Sequence, residues 1–274
     1  MRSIASGLSL SMDLGVDYQI IWLKNWEINA EFCDIFEDCA LISDKIEYPG
    51  LIKYALAYSA PRKKNAFISA LTLPRFGLYL YDYRSPMSDL SQRTDSNFRI
   101  KEMVEKCLSE GKDCFIQSGA DFADYTDNFY RSLFRPAGHI LDEVEQIEKS
   151  MGDGRRIGIH IRRTDNSVSI LHSPDSLFIQ EIDRIIRNDG SLKFYLATDD
   201  EKTKERFRLA FPGYIFSMPR AASRSTKSGI TDAMIEMTLL SRTELILGSY
   251  YSSFSKAAAL LGGVPLKLLS HTFK

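Results

Sequence analysis

The sequence predicts an α/β protein of two domains built on parallel sheets. Three observations carry this: a length of 274 residues, an apolar content of 44% that supports a large core, and short β-branched runs alternating with amphipathic segments in the second half. The 35 Lys+Arg and 36 Asp+Glu leave a net charge of -1, so no overall field draws the chain to nucleic acid or to an anionic surface. An anionic ligand would have to meet a local arginine cluster.

Residues 2–14 place Ile4, Leu8 and Met12 at helical spacing, with Gly15 as the stop. The apolar run 18–23 reads as a buried strand, and 76–83 and 113–117 as two more. Residues 121–136 read as aromatic and irregular, followed by a helix over 139–150. The domain boundary is expected near Pro136, giving an amino-terminal domain of residues 1–138 and a carboxy-terminal domain of residues 139–274. The second domain reads as strand 157–161, a loop, helix 177–188, strand 193–197, helix 201–211, a short strand at 214–216, and a Ser/Arg-rich loop. Helix 231–241, strand 245–247, helix 254–261 and strand 264–269 complete it. Repeated β-α-β units imply a parallel sheet with right-handed crossovers.

Cys33, Cys39, Cys107 and Cys114 lack zinc-knuckle spacing and read as reduced structural thiols. No apolar run reaches the length of a membrane span, and residues 1–15 do not resemble a signal-peptide core, so a cytoplasmic location is expected.

Ligands of an open parallel sheet bind beyond the carboxyl ends of its strands, and three such places carry chemistry. After strand 157–161, alternation puts His160 and Arg162 on one face, with Arg163 and Asp165 beyond the strand end. A guanidinium fork matches a diphosphate in geometry and charge; the competing reading is a salt-bridge cluster with Asp165. Ser252, Ser253, Phe254 and Ser255 lead into a helix whose N-terminus favours anions, although serine also serves as a simple cap. Asp199 and Asp200 follow the end of strand 193–197, where a carboxylate could take a nucleoside hydroxyl or merely cap the next helix. Two adjacent carboxylates without further ligands are poor support for a metal ion.

His160, Arg162, Arg163 and Asp165 resemble the HxRRxD motif of the fucosyltransferase superfamily that includes nodulation and alpha-1,6-fucosyltransferases, with relatives among protein O-fucosyltransferases and plant cell-wall fucosyltransferases. Ala197, Thr198, Asp199 and Asp200 resemble its second motif. Residues 235–241 with 248–255 and 257–263 look like its third. The resemblance implies a GT-B-like architecture of two Rossmann-like domains, the second binding the donor nucleotide. It implies that Arg162 holds the β-phosphate of GDP-fucose, lined by Ser252, Ser253 and Phe254, and that His160 and Glu236 meet guanine or its ribose. Arg163, Asp199 and Asp200 complete the expected donor set. The family's reaction inverts the sugar and uses no metal or other cofactor, with a glycan or lipid-linked oligosaccharide as acceptor and peripheral membrane contact left open.

Two departures matter. Relatives carry a first strand and a glycine-rich loop before the positions matching residues 1–4, so the sequence leads to the expectation of an upstream segment of about ten residues. The base is also open: residues 166–170 lack the carboxylate of the alpha-1,6 enzymes, leaving Asp165, with His172 and Asp175 as alternatives. An inert nucleotide-sugar or glycan-binding relative, or a transferase of another GDP-hexose, remain alternative readings.

Overall fold

A computed structural model describes residues 1–20, 22, 28–42, 76–83, 90–119, 121–164, 166–219 and 226–271. The chain divides into two compact units, one of Met1–Asn25 and Asp38–Leu133, the other of Trp26–Glu37 and Phe134–Lys274.

In the first unit, helix α1 (Arg2–Leu14) ends where Gly15 takes the left-handed conformation at φ 62° and its N–H reaches the Met12 carbonyl. Ser6 is fully buried and uses both capacities of its hydroxyl, donating to the Ala123 carbonyl and accepting from the Phe122 N–H, each at 3.1 Å. Strand β1 (Phe76–Tyr83), helix α2 (Leu90–Ser109) and strand β2 (Asp113–Ser118) form a β-α-β unit with parallel strands. Leu10, Ile100, Val104, Phe122 and Ala123 make its core. Helix α3 (Asp127–Leu133) falls in the stretch expected to be irregular. The strand expected over 18–23 is not found at residues 18–20 and 22, and Tyr18 is exposed. Ile21 and Leu23 lie outside the described residues.

The second unit takes in an amino-terminal segment through its aromatic residues. Phe36 stacks obliquely on Phe32 and Phe134 at 5.0 and 5.4 Å, and its backbone bridges to Pro136. Helix α4 (Gly138–Met151) leads into strand β3 (Arg156–Ile161), and short helix α5 (Ser167–His172) precedes helix α6 (Asp175–Asn188). Strand β4 (Lys193–Thr198), helix α7 (Glu201–Ala210), the two-residue strand β5 (Ile215–Phe216) and helix α8 (Lys227–Ser241) follow. Strand β6 (Ile246–Ser249), helix α9 (Ser253–Gly262) and strand β7 (Leu266–Leu269) close the order. All pairings are parallel, in the order β5-β4-β3-β6-β7.

Helices cover both faces of this sheet, as its doubly buried strands require. Ile157, Ile159 and Ile161 of β3 pack with Phe194 and Leu196 of β4 against Phe178, Ile182 and Ile185 of α6, which recur at i, i+4 and i+7. Truncating Phe178 to alanine in this fully buried place would cost about 3–5 kcal/mol. On the opposite face Gly158 lies under Leu240 and Thr243, where an added Cβ would come within 2.9 Å of both.

Candidate functional site

The strand order reverses between β3 and β6: β4 and β5 continue to one side, β7 to the other. The carboxyl ends of β3 and β6 therefore flank the crevice in which such sheets hold ligands. Ser249 stitches those ends together, its fully buried hydroxyl accepting from the Arg162 N–H at 3.1 Å and donating to the His160 carbonyl at 3.3 Å. Strand β6 thus runs two residues beyond Leu247. Gly248 permits the close approach, since a Cβ there would stand 2.8 Å from the Ser255 hydroxyl in the first turn of α9.

His160 is buried, and its ring stacks on Phe254 with centroids 4.8 Å apart and planes at 25°. Burial pulls its pKa down to about 4, with the Arg162 charge acting in the same sense and Asp199 opposing, so the imidazole is neutral near pH 7. The Ser252 hydroxyl lies 3.5 Å from its Nδ1. Ser252 occupies the cap position of α9 without making a side-chain cap, so its hydroxyl faces the crevice side instead of closing the helix end. Ser253 is the exposed first residue of that helix.

The two arginines diverge as strand alternation predicts. Arg162 is partly buried, and its Nη1 meets Asp199 Oδ2 at 3.0 Å. Arg163 turns away, donating from Nε to Asp175 Oδ1 at 2.8 Å, from Nη1 to the Arg162 carbonyl at 2.8 Å and from Nη2 to the Ser173 carbonyl at 2.8 Å. A further bond joins Nη2 to Asp175. With four donor bonds made inside the protein, Arg163 supports the loop after β3.

Both aspartates make bonds inside the protein as well. Asp199 Oδ1 accepts the Arg163 N–H at 2.7 Å, and Oδ2 accepts the Thr164 hydroxyl at 2.6 Å and N–H at 3.3 Å besides meeting Arg162. Its acceptor capacity is committed to the loop after β3. Asp200 caps α7, its Oδ2 accepting from the Thr203 N–H at 2.8 Å and hydroxyl at 2.7 Å, which pulls its pKa down. Asp165 lies outside the described residues. Of the alternative bases, Asp175 is held by both Arg163 and Arg206. His172 leans against Tyr250, 5.0 Å between centroids.

Glu236 sits on α8, buried to 4% exposure, and burial pushes its carboxyl up to about 8. Lys204 opposes that rise, whereas Asp232, Glu201 and Asp199 reinforce it. Its Oε1 has no hydrogen-bond partner, nor has the buried Tyr195 hydroxyl, whose pKa is raised first by burial and then by Glu236. Among the described residues no group of three metal-ligating side chains occurs.

Sequence reasoning missed Ser173, Ser249 and Asn166 as organisers of the crevice. Asn166 caps α5 by accepting the Ser169 N–H at 3.0 Å and donates to the Tyr251 carbonyl at 3.0 Å, joining α5 to the loop before α9. An Asn immediately ahead of a Ser-rich hexapeptide was the available signal for that cap.

No protein-family model matches the chain, and no curated protein matches it in sequence. Its structure is similar to that of the fucosyltransferase NodZ from Bradyrhizobium, at 17% identity over 96% of this chain and 88% of NodZ, with a TM-score of 0.56. NodZ alpha-1,6-fucosyltransferase co-crystallized with GDP gives a TM-score of 0.57 at the same identity and coverage. POFUT1 in complex with GDP-fucose is similar over 98% of this chain and 93% of its own, at 10% identity and a TM-score of 0.55. The chain therefore has the fold of these fucosyltransferases.

Proposed function

We propose that the chain is an inverting, metal-independent glycosyltransferase that moves fucose from GDP-fucose to a hydroxyl of a glycan or glycoconjugate. The observation that carries this reading is the position of Arg162, which leaves the carboxyl end of β3 at the switch point while Ser249 ties that end to the strand leading into α9. The fold shared with structures holding GDP and GDP-fucose supports the choice of donor.

In the reaction, the bond from fucose C1 to the β-phosphate oxygen breaks and the acceptor oxygen bonds C1 from the opposite side. The acceptor's proton passes to a base, for which Asp165 is our assignment. Negative charge gathers on the departing diphosphate, where Arg162, the Ser252 and Ser253 hydroxyls and the N–H groups of the first turn of α9 receive it. Asp199 holds the Arg162 guanidinium at 3.0 Å, so the charge is oriented before the donor arrives. Neutral His160 and Phe254 offer a flat wall for the nucleoside, and Glu236 supplies a buried carboxyl with an unused oxygen for guanine or its ribose. Among the described residues no helix is long and apolar enough to cross a membrane.

Calorimetric titration with GDP, GDP-fucose, GDP-mannose and UDP tests the donor. Binding of GDP and GDP-fucose in preference to UDP is the expected result, and preference for UDP overturns the reading. Proton NMR of the product's anomeric centre tests inversion.

A further inference from the structure

Among the described residues Tyr251 is the single non-glycine with a positive φ, 56°. In that conformation the Cβ crowds the neighbouring carbonyl oxygen, which is why glycine and asparagine usually occupy it. Here the position carries an aromatic ring, 46% exposed. The loop backbone is held by Asn166, which takes the Tyr251 carbonyl at 3.0 Å. The ring leans on Tyr250 at 6.2 Å between centroids, and Tyr250 leans on His172 at 5.0 Å, so three rings form a staggered pile. Val168, Ile170 and Leu171 of α5 are exposed as well, Leu171 to 65%. The next residue, Ser252, faces His160 in the crevice. Strain retained at a crevice rim for the sake of an exposed aromatic side chain indicates use by a ligand.

We propose that Tyr251 is the stacking floor for a pyranose ring of the acceptor. A pyranose with equatorial hydroxyls presents a flat face of C–H bonds, which fits an amphipathic aromatic ring whose polar tip stays in water. One residue from Ser252, a sugar stacked there would stand beside the departing diphosphate. Asn166 is the positioning residue, since it fixes the Tyr251 backbone while capping α5. The assignment rests on the donor reading above and adds the acceptor subsite to it.

The test titrates cellotetraose, chitotetraose and mannotetraose into the full chain saturated with GDP, for the parent, Tyr251→Gly and Tyr251→Phe, with thermal denaturation in parallel. At least one tetrasaccharide is expected to bind the parent. Tyr251→Phe should keep that affinity within about twofold, and Tyr251→Gly should lose about fivefold to tenfold, more than any change in its GDP affinity. Because glycine relieves the left-handed strain, its melting temperature should equal or exceed the parent's. Parental saccharide affinity in Tyr251→Gly overturns the proposal, as does a GDP-saturated parent that binds none of the three. A parent that fails to bind GDP is separately visible and removes the donor reading together with this one.

Discussion

Arg163 and Asp175, twelve positions apart, form an ion pair in which each side chain is only 12% exposed. Arg206 meets the same carboxylate from the surface side, exposed to 59%. Asp175 thus neutralises the arginine that holds the Arg162 carbonyl and the Ser173 carbonyl in place. Asp175→Ala leaves the Arg163 guanidinium desolvated without its partner, and the cost in stability should be about 2–4 kcal/mol. Urea denaturation checks this through a lower midpoint at an unchanged slope.

Arg162→Ala should weaken GDP binding by about 1.5–3 kcal/mol, the loss of a charge-assisted contact, and abolish transfer. Arg163→Ala should lower stability more and GDP affinity less. Calorimetry with GDP, paired with denaturation of both variants, separates the two roles. Equal GDP affinity in the parent and a folded Arg162→Ala would refute the phosphate contact.

Glu236 gives a stability that falls as pH rises. Burial holds its carboxyl at about 8 in the folded state against the ordinary 4.5, so between these values the folded state binds the extra proton. The favourable contribution is fully present below about pH 4.5 and lost as pH climbs to about 8. Glu236→Gln should therefore be more stable than the parent at pH 8, and the gap should close toward pH 5 at a limiting slope of about 1.4 kcal/mol per pH unit. Denaturation midpoints of both proteins across that range give the comparison.

His160 works in the opposite direction. With its pKa lowered to about 4 from 6.5, the unfolded state takes up a proton that the folded state refuses. Stability contributed by the neutral ring is complete above about pH 6.5 and lost as pH falls toward 4, about 3 kcal/mol in all. His160→Phe, which keeps an aromatic partner for Phe254, should lose this acid sensitivity. Between pH 4.5 and 6.5 the Glu236 and His160 slopes oppose each other, so the parent should show a flatter profile there than either variant.

Transfer should survive EDTA. The guanidinium of Arg162 and the N-terminus of α9 supply positive charge for the diphosphate, and among the described residues no cluster suits a divalent ion. Activity lost on chelation and restored by manganese or magnesium would show that a metal takes part.

Local periodicity made much of the second unit legible. Ile157, Ile159 and Ile161 alternate with Gly158 and His160, and that pattern alone separated the core face from the crevice face and told Arg162 from Arg163. The end of β6 was misread because Gly248 and Ser249 have low strand propensity; pairing to Leu268, Leu269 and His160 holds them in the sheet. Helix α5 was read as a loop because its six residues include β-branched Val168 and Ile170, and its capping by Asn166 outweighs that preference. The diversion of Arg163 to Asp175, and of Asp199 to Thr164, was invisible since both depend on where two loops meet.

The strand order bears on how the protein acquires its fold. β3 finds its neighbour β4 after one helical crossover, yet its other neighbour, β6, is separated from it by almost ninety residues, Gly158 pairing with Ile246. That pairing closes a long loop before it gains any ladder bond, the kind of contact that slows folding. During synthesis, β3, β4 and β5 emerge with the β6 side of β3 still an open edge. The crevice between β3 and β6 thus takes shape only once β6 has been made and paired, and a nascent chain halted before Ser249 would lack the hydroxyl that accepts the Arg162 N–H.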